Sequence, residues 1–364
     1  ALRVEVERIA GSRGLGGLPG TRAAAGSLSD LVRVNRVQGL TLGFGGVAAI
    51  AGSRAQVRPY VAYGTSDHRV MAAVTATLSV GATQLSAGAS RRIRDLSDLP
   101  VIAPAINSLL AQEEGQDHGD YVLLQSAELG VRRRLDGRST LGLELLVEES
   151  QSVAVAASPA RGRYRPNPPL GSGTYRVARM VYERASGGIA VRRDLQGRVM
   201  IEAGEGPTEY LRGTVEGRWL ASLGPGVLLS RLYLGLGGDG LPPHRSFVLG
   251  GRGTLLGEPF RAYGGRAAGL AHLEWRFEAP FPALPLGSFA STGRRITLAP
   301  FIAAGTASRP YPGLPWGRTD GVRPVAGLAL EWFMRLIRLE LGVGLRDGDI
   351  GVTVDVSREW WGLL

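Results

Sequence analysis

The residues suited to chemistry are few and badly spaced for it. Cysteine is absent, which excludes a thiol nucleophile, a disulfide scaffold and a Cys-ligated metal. The four histidines (His68, His118, His244 and His272) show no i, i+4 pairing and no spacing that would assemble a zinc site. His118 and His244 read as loop residues, His272 as facing an interior. Gly235-Leu-Gly237-Gly-Asp-Gly240 fits G-x-G-x-x-G, but a dinucleotide site needs that loop to open a helix, and Leu241-Pro242-Pro243 follows instead. No serine lies in a G-x-S-x-G elbow, and no particular spacing supports a Ser–His pair. Carboxylates recur at Glu144, Glu148, Glu216, Glu274, Glu278 and Glu340, in company with Arg212, Arg218, Arg276 and Arg338. Confined charges are normally paired, so these groups read as ion pairs. The expectation is a chain that is not an enzyme and holds no metal or cofactor.

The net charge is +10, and no lysine occurs, so all of the positive charge is arginine. The arginines alternate along segments rather than crowding onto one helix or loop, which argues against nucleic acid as a partner. Tracts such as Arg132-Arg133-Arg134 and Arg192-Arg193 suit lipid phosphates better. With 44 % hydrophobic and 20 % charged residues the chain is too apolar to be disordered. Its longest apolar runs, 46–52 and 101–110, fall short of the ~20 residues of a membrane helix. No signal-like segment opens the sequence, so Ala1 is either a mature N-terminus or a cut inside a longer protein. The 54 glycines fall inside apolar-alternating segments as well as in turns, which disfavours a helical or doubly wound fold.

The elements that must position these residues follow a period of two. Ile337, Leu339, Leu341, Val343 and Leu345 oppose Arg338, Glu340, Gly342 and Gly344, placing the two sets on opposite faces of a strand. The same split recurs in 140–148, 211–219, 270–278 and 350–357. A soluble sandwich turns its apolar face inward, whereas a membrane barrel turns it to lipid. The alternating runs match the roughly 9–11 residues needed to cross a bilayer rather than the ~5–6 of a sandwich strand. The fold predicted is all-β: a transmembrane antiparallel β-barrel of sixteen strands with an outer loop inserted into its lumen, located in a bacterial outer membrane. Residues 33–364 form the barrel. Residues 1–32 are an N-terminal segment, either a linker or a first strand at 2–9, and 34–50 is the next strand.

Connections 10–33, 94–119, 150–173, 237–263 and 308–320 are long and should share one rim; 136–138, 222–226 and 346–348 should be tight turns at the other. The long connection 280–293 breaks this rule on the turn side. Trp219, Trp275, Trp332, Trp360 and Trp361 all lie toward the turn side, as indoles at a membrane–water boundary would, and Trp316 alone is in a loop. The 94–119 loop predicts a short helix capped by Ser97 or Asp98, with Ile102, Ile106, Leu109 and Leu110 on one side. Such a helix either covers the barrel mouth or fills space.

From about 240 to 361 the chain resembles the C-terminal barrel of the bacterial surface antigen family, the outer-membrane barrels of protein-assembly and two-partner-secretion translocases. Phe247-Val-Leu-Gly250-Gly251 matches the approach to the family's lumen loop, followed by Arg252, and Leu255-Leu256-Gly257-Glu258 occupies its signature, with Phe260 just beyond. Glu274-Trp-Arg276 matches the next strand and Phe301-Ile-Ala303-Ala-Gly305 the one after. Asn35-Arg-Val-Gln-Gly-Leu40-Thr-Leu-Gly43 is similar to the opening of barrels in this superfamily. The resemblance implies an arginine in the loop paired with an aspartate on the later strand. Here those positions are Leu256 and Ala303, so both partners are replaced together, as the cost of an unpaired confined charge requires. Glu274 remains to pair with Arg252 or Arg276.

Asp349-x-Gly351-x-x-Val354-x-Val356 fits the recognition pattern of the last strand of outer-membrane barrels, with Trp360 and Trp361 following. The resemblance implies insertion or export of proteins, with outer-membrane lipid, client proteins and a fused or bound periplasmic N-terminal domain as partners. The rival expectation is a barrel that anchors an N-terminal domain or a larger complex; a passive pore is a third.

Overall fold

A computed structural model describes residues 21–50, 54–185, 193–286, 290–333, 335–358 and 361. Seventeen strand segments form one antiparallel sheet. Two of them, Thr21–Ala23 and Val32–Asn35, pair with opposite ends of the same neighbour and make a single interrupted strand, β1. Sixteen strands therefore succeed one another: β2 Gly39–Ile50, β3 Ala55–Gly64, β4 Val70–Val80, β5 Thr83–Asp95, β6 Tyr121–Arg134, β7 Ser139–Ser152, β8 Gly173–Arg184 and β9 Asp194–Glu205. After these come β10 Tyr210–Leu223, β11 Gly226–Gly237, β12 Ala267–Pro280, β13 Arg295–Ser308, β14 Arg323–Trp332, β15 Ile337–Gly344 and β16 Ile350–Val356. Each pairs with the next in chain order. Two helices interrupt the loops, α1 Leu28–Leu31 and α2 Pro104–Glu114.

The two faces of this sheet confirm the barrel and its orientation. Leu145 (64 % exposed), Phe44, Leu211, Leu236, Ile302 and Val352 stand on the outside of strands spread around the sheet. Soluble proteins rarely leave such a belt uncovered, and it suits hydrocarbon. The opposite face is charged and buried: Glu202, Arg212, Glu274, Glu331 and Arg338 are enclosed. Register follows the alternation. Leu341 lies opposite Val352 on the lipid face and Arg338 opposite Asp355 on the lumen face.

Three local expectations are corrected. The segment 34–50 is not one strand: the Asn35 side chain accepts the backbone N–H groups of Val37 and Gln38 at 3.0 and 2.8 Å, and Gly39 takes a positive φ of 67°. This Asx turn folds β1 back against β2, so the first strand is 21–35, across the proposed 32/33 boundary. The stretch 2–9 lies outside the described residues. The tight connection 345–349 lies on the long-loop rim, because Arg346 donates to the Asp320 carbonyl and Leu345 to the Pro324 carbonyl. Helix α2 begins later than expected, at Pro104, whose missing N–H suits the first helical position. Ser97 instead closes a local turn with Leu99.

Trp219 is half exposed near the β10 turn, and the Trp275 indole donates to the Leu223 carbonyl in that same turn at 3.2 Å. Trp332 ends β14 and meets Phe281 edge to face. Trp361 donates to the Val356 carbonyl at 2.9 Å. Trp219, Trp275 and Trp332 gather at the turn rim; Trp361 instead lines the interior cavity, its ring under the Arg358 guanidinium at 5.2 Å, and Trp316 is buried under the loops. Trp360 lies outside the described residues.

Candidate functional site: the lumen loop and the seam

The connection between β11 and β12 enters the lumen. Phe247–Leu249 and Tyr263–Gly265 form its two-stranded stalk. Its tip is a tight turn in which Gly251 donates to the Leu255 carbonyl at 2.9 Å and Gly250 to the Thr254 hydroxyl at 2.9 Å. Gly257 can be nothing else: its φ is +108°, and a Cβ there would come within 2.4 Å of the Gly344 nitrogen. The loop backbone is pressed directly against β15 and β16. Leu256 fills the space left by Gly342 and Gly351, and its Cδ1 would lie 2.7 Å from a Cβ on Gly351. The glycine of the last-strand pattern is therefore where the loop touches that strand. Asp349 closes the β15–β16 turn by accepting the Gly344 N–H, and Val354 turns to lipid, 56 % exposed. Val356 ends the strand beside Ile337.

Leu256 and Ala303 belong to one buried apolar cluster, with Leu99, Phe247, Leu249, Leu255 and Phe301. Where the resemblance implies an arginine and an aspartate, this chain places two buried apolar side chains. Ionic ties lie at neighbouring positions. Glu258 receives the Arg323 guanidinium at 3.0 and 2.8 Å and the Tyr263 hydroxyl at 2.7 Å. Arg261 grips Asp95 at 2.6 Å and Asp120 at 2.9 Å. The Arg252 guanidinium pairs with Asp355 at 3.1 Å and donates to the Val354 carbonyl. Arg252 thus ties the loop to the last strand and does not reach Glu274. Glu274 instead takes Arg276 at 2.5 Å and Arg338 at 2.7 Å, and Arg338 also binds Glu331 and Glu340.

Phe260 lies under two guanidinium groups, those of Arg165 and Arg261, each 5.3 Å from its ring, and the His118 ring meets its edge at 5.0 Å. Burial, reinforced by Arg252, holds the His118 imidazole down at about 4, so it is neutral near pH 7. Burial raises the Asp120 carboxyl, but Arg261 and Arg165 outweigh that effect and keep it below its ordinary range. A second anchor was not singled out from the sequence. Arg36, fully buried in the β1–β2 turn, donates to Asp120 at 2.8 Å and to Asn167 at 3.0 Å, and its N–H reaches Asp117 at 2.7 Å. Its only sequence mark was its place inside the opening stretch 35–43.

At the seam, β1 pairs only with β2, and β16 only with β15; among the described residues no ladder joins β1 to β16.

The chain matches no protein-family model and no curated protein sequence. Among solved structures it is similar to BamA from Haemophilus ducreyi lacking POTRA domains 1–3, at 14 % identity and a TM-score of 0.58. That match covers 90 % of this chain and 69 % of the other. It is also similar to CdiB from Acinetobacter baumannii (14 % identity, TM-score 0.49, 89 % of this chain and 58 % of that one). CdiB from Escherichia coli follows, at 13 % identity and a TM-score of 0.49, covering 89 % and 60 %. The likeness to BamA is one of fold: a transmembrane barrel of this type.

Proposed function

We propose that this chain is a bacterial outer-membrane barrel acting without enzymatic chemistry in the insertion or export of proteins, through the lumen loop and the seam between β1 and β16. One observation carries the reading: a sixteen-stranded sheet whose end strands share no ladder among the described residues, with a loop from the lumen bonded to the last of them. Unpaired strand edges are templates for another chain, so the seam is where a client strand would add. Its partners are then outer-membrane lipid, client polypeptides, and a periplasmic domain fused or bound at the N-terminus. The BamA-like fold supports the class of barrel, not a particular client.

A second reading is a barrel that anchors an N-terminal domain or a larger complex, and Leu256 and Ala303 favour it, because the charged pair that the resemblance implies is absent. The two separate in liposomes carrying the purified barrel. A urea-unfolded small outer-membrane barrel is added, and its folding is followed by heat-modifiable gel mobility. Insertion activity predicts faster folding than in empty liposomes of the same lipid. Equal rates would overturn that activity and leave the anchor.

A further inference from the structure

Among the described residues the end strands do not pair with each other, yet they are joined. Ala103, the residue that caps α2, points its N–H at the Asp355 carboxylate of β16, 3.4 Å from each oxygen. Five residues on, the Ser108 hydroxyl accepts the Val34 N–H of β1 at 3.1 Å. Val34 lies opposite Leu40 in the β1–β2 ladder, but its N–H goes to the helix rather than to β2. It is one of the edge donors that a further strand would need. The same loop is pinned at both ends. Asp117 and Asp120 hold Arg36 in the β1–β2 turn, and Val101 packs against Gly253 of the lumen loop, whose missing Cβ would fall 2.6 Å from the Val101 Cα. Arg358, just past β16, donates to the Gly253 carbonyl at 3.1 Å.

From this geometry we infer that α2 is a latch across the seam: one helix bonded to both end strands in place of the ladder they lack, and occupying a β1 edge donor that an incoming strand would use. The seam widens only when the helix lets go of one side. The helix itself supplies only the Ser108 hydroxyl and the Ala103 N–H, a weak tie beside a ladder of several bonds. It can therefore let go of a strand while Arg36, held by Asp117 and Asp120, keeps the far end of the loop on the β1–β2 turn. The functional meaning of the latch rests on the insertion or export reading; the physical bridge does not.

The chain is free of cysteine, so spin labels can be placed at V32C and V352C, which stand 49 % and 63 % exposed on either side of the seam. The distance between them is read by pulsed electron resonance in lipid nanodiscs, and exchange at the Val34 amide by mass spectrometry. S108A keeps a good helix former and removes the acceptor. It should speed Val34 exchange about tenfold and broaden the label distance to longer values. A103P, at a φ of −61° that proline adopts, deletes the other N–H and should broaden it further in combination with S108A. An unchanged distance in S108A overturns the latch, even if Val34 exchanges faster, because the helix would then merely cap one amide. A seam that widens in a barrel that does not speed client folding keeps the latch and removes the export reading. Client folding that proceeds equally with and without Ser108, across a fixed seam, does the reverse.

Discussion

The two halves of the barrel interior are built from the same inward-facing strand positions but solve opposite problems. In the loop half, 96–120 and 241–262 fold inward, and the charges there are enclosed and multiply bonded: Arg36 with Asp117 and Asp120, Arg261 with Asp95 and Asp120. In the turn half a cavity of about 610 Å³ remains, lined by groups such as Arg132, Arg138, Glu183, Arg198, Arg231 and Glu340. Several pairs there are long and partly exposed, as in Arg132–Glu183 at 3.8 Å and Arg198–Glu183 at 3.4 Å. A desolvated ion pair is costly to break and a wet one almost free. The control of access therefore resides in the loop half, while on the Arg132–Glu183 side of the turn half the charges stand in a wet vestibule. Across from them Arg338, held by Glu274 and Glu331 at 2.7 Å, stays enclosed.

The sharpest way to break this contrast is R261A. Removing one cation leaves the partly exposed Asp95 without its guanidinium and takes one of three from the buried Asp120, which keeps Arg36 and Arg165. The cost is about 3 kcal/mol. The expected outcome is a large drop in urea resistance in bilayers and rapid protease cleavage within 96–120; an unchanged midpoint would mean that water already reaches the pair. Next comes L256R, which restores half of what the resemblance implies. Alone it buries a charge among apolar side chains and should cost about 2–3 kcal/mol, moderated because the long stem can reach toward the wet half. Adding A303D should recover about 1–2 kcal/mol of that as a coupling energy. Strict additivity in a double-mutant cycle would show that the two positions do not meet.

The sequence made the strands legible because lipid on one side and water on the other force every strand into a strict period of two. Arg338 and Glu340 could be placed inside, and Leu339 and Leu341 outside, without coordinates. Partner choice was not legible in the same way. Arg252 and Glu274 both read as lumen residues, yet their partners depend on which strands face each other across the barrel. That is a matter of curvature and register, and it gave Asp355 to Arg252. The β1–β2 turn was written in the sequence as Asn35 and Gly39, but an apolar alternation running through 34–50 masked it. The latch had a trace too: a short helix was expected in 94–119, but nothing in its own residues says that Ser108 faces a strand end.

A third prediction concerns pH. With His118 held at about 4 against an ordinary value near 6.5, the unfolded chain takes up a proton in that interval and the folded one does not. The stability associated with His118 is therefore complete above about 6.5 and declines as the pH falls toward 4. Asp120, held below its ordinary 3.8, keeps its contribution throughout this window and loses it only at lower pH. Amide exchange in 96–120, taken relative to the intrinsic rate at each pH, should thus rise between pH 7 and 5, and H118F should flatten the rise. A rise of equal size in H118F would assign it to another group.

The smallest expected effect lies in the vestibule. Arg132 is 46 % exposed and reaches Glu144 and Glu183 only at 4.0 and 3.8 Å, so R132A should shift the unfolding free energy by less than about 0.5 kcal/mol. Its consequence should appear in the field rather than in stability. Removing one positive charge from a cavity wall lowers the local attraction for anions, and the effect should fade as salt rises above the roughly 0.1 M at which the screening length falls to ~10 Å. Any residual conductance of the reconstituted barrel should then lose part of its anion preference in R132A, measured as a reversal potential across a chloride gradient, with R261A changing the size of the conductance instead. If R132A destabilised the barrel as much as R261A does, the turn half would be as tightly enclosed as the loop half, and the division of the interior into a sealed end and a wet end would fall.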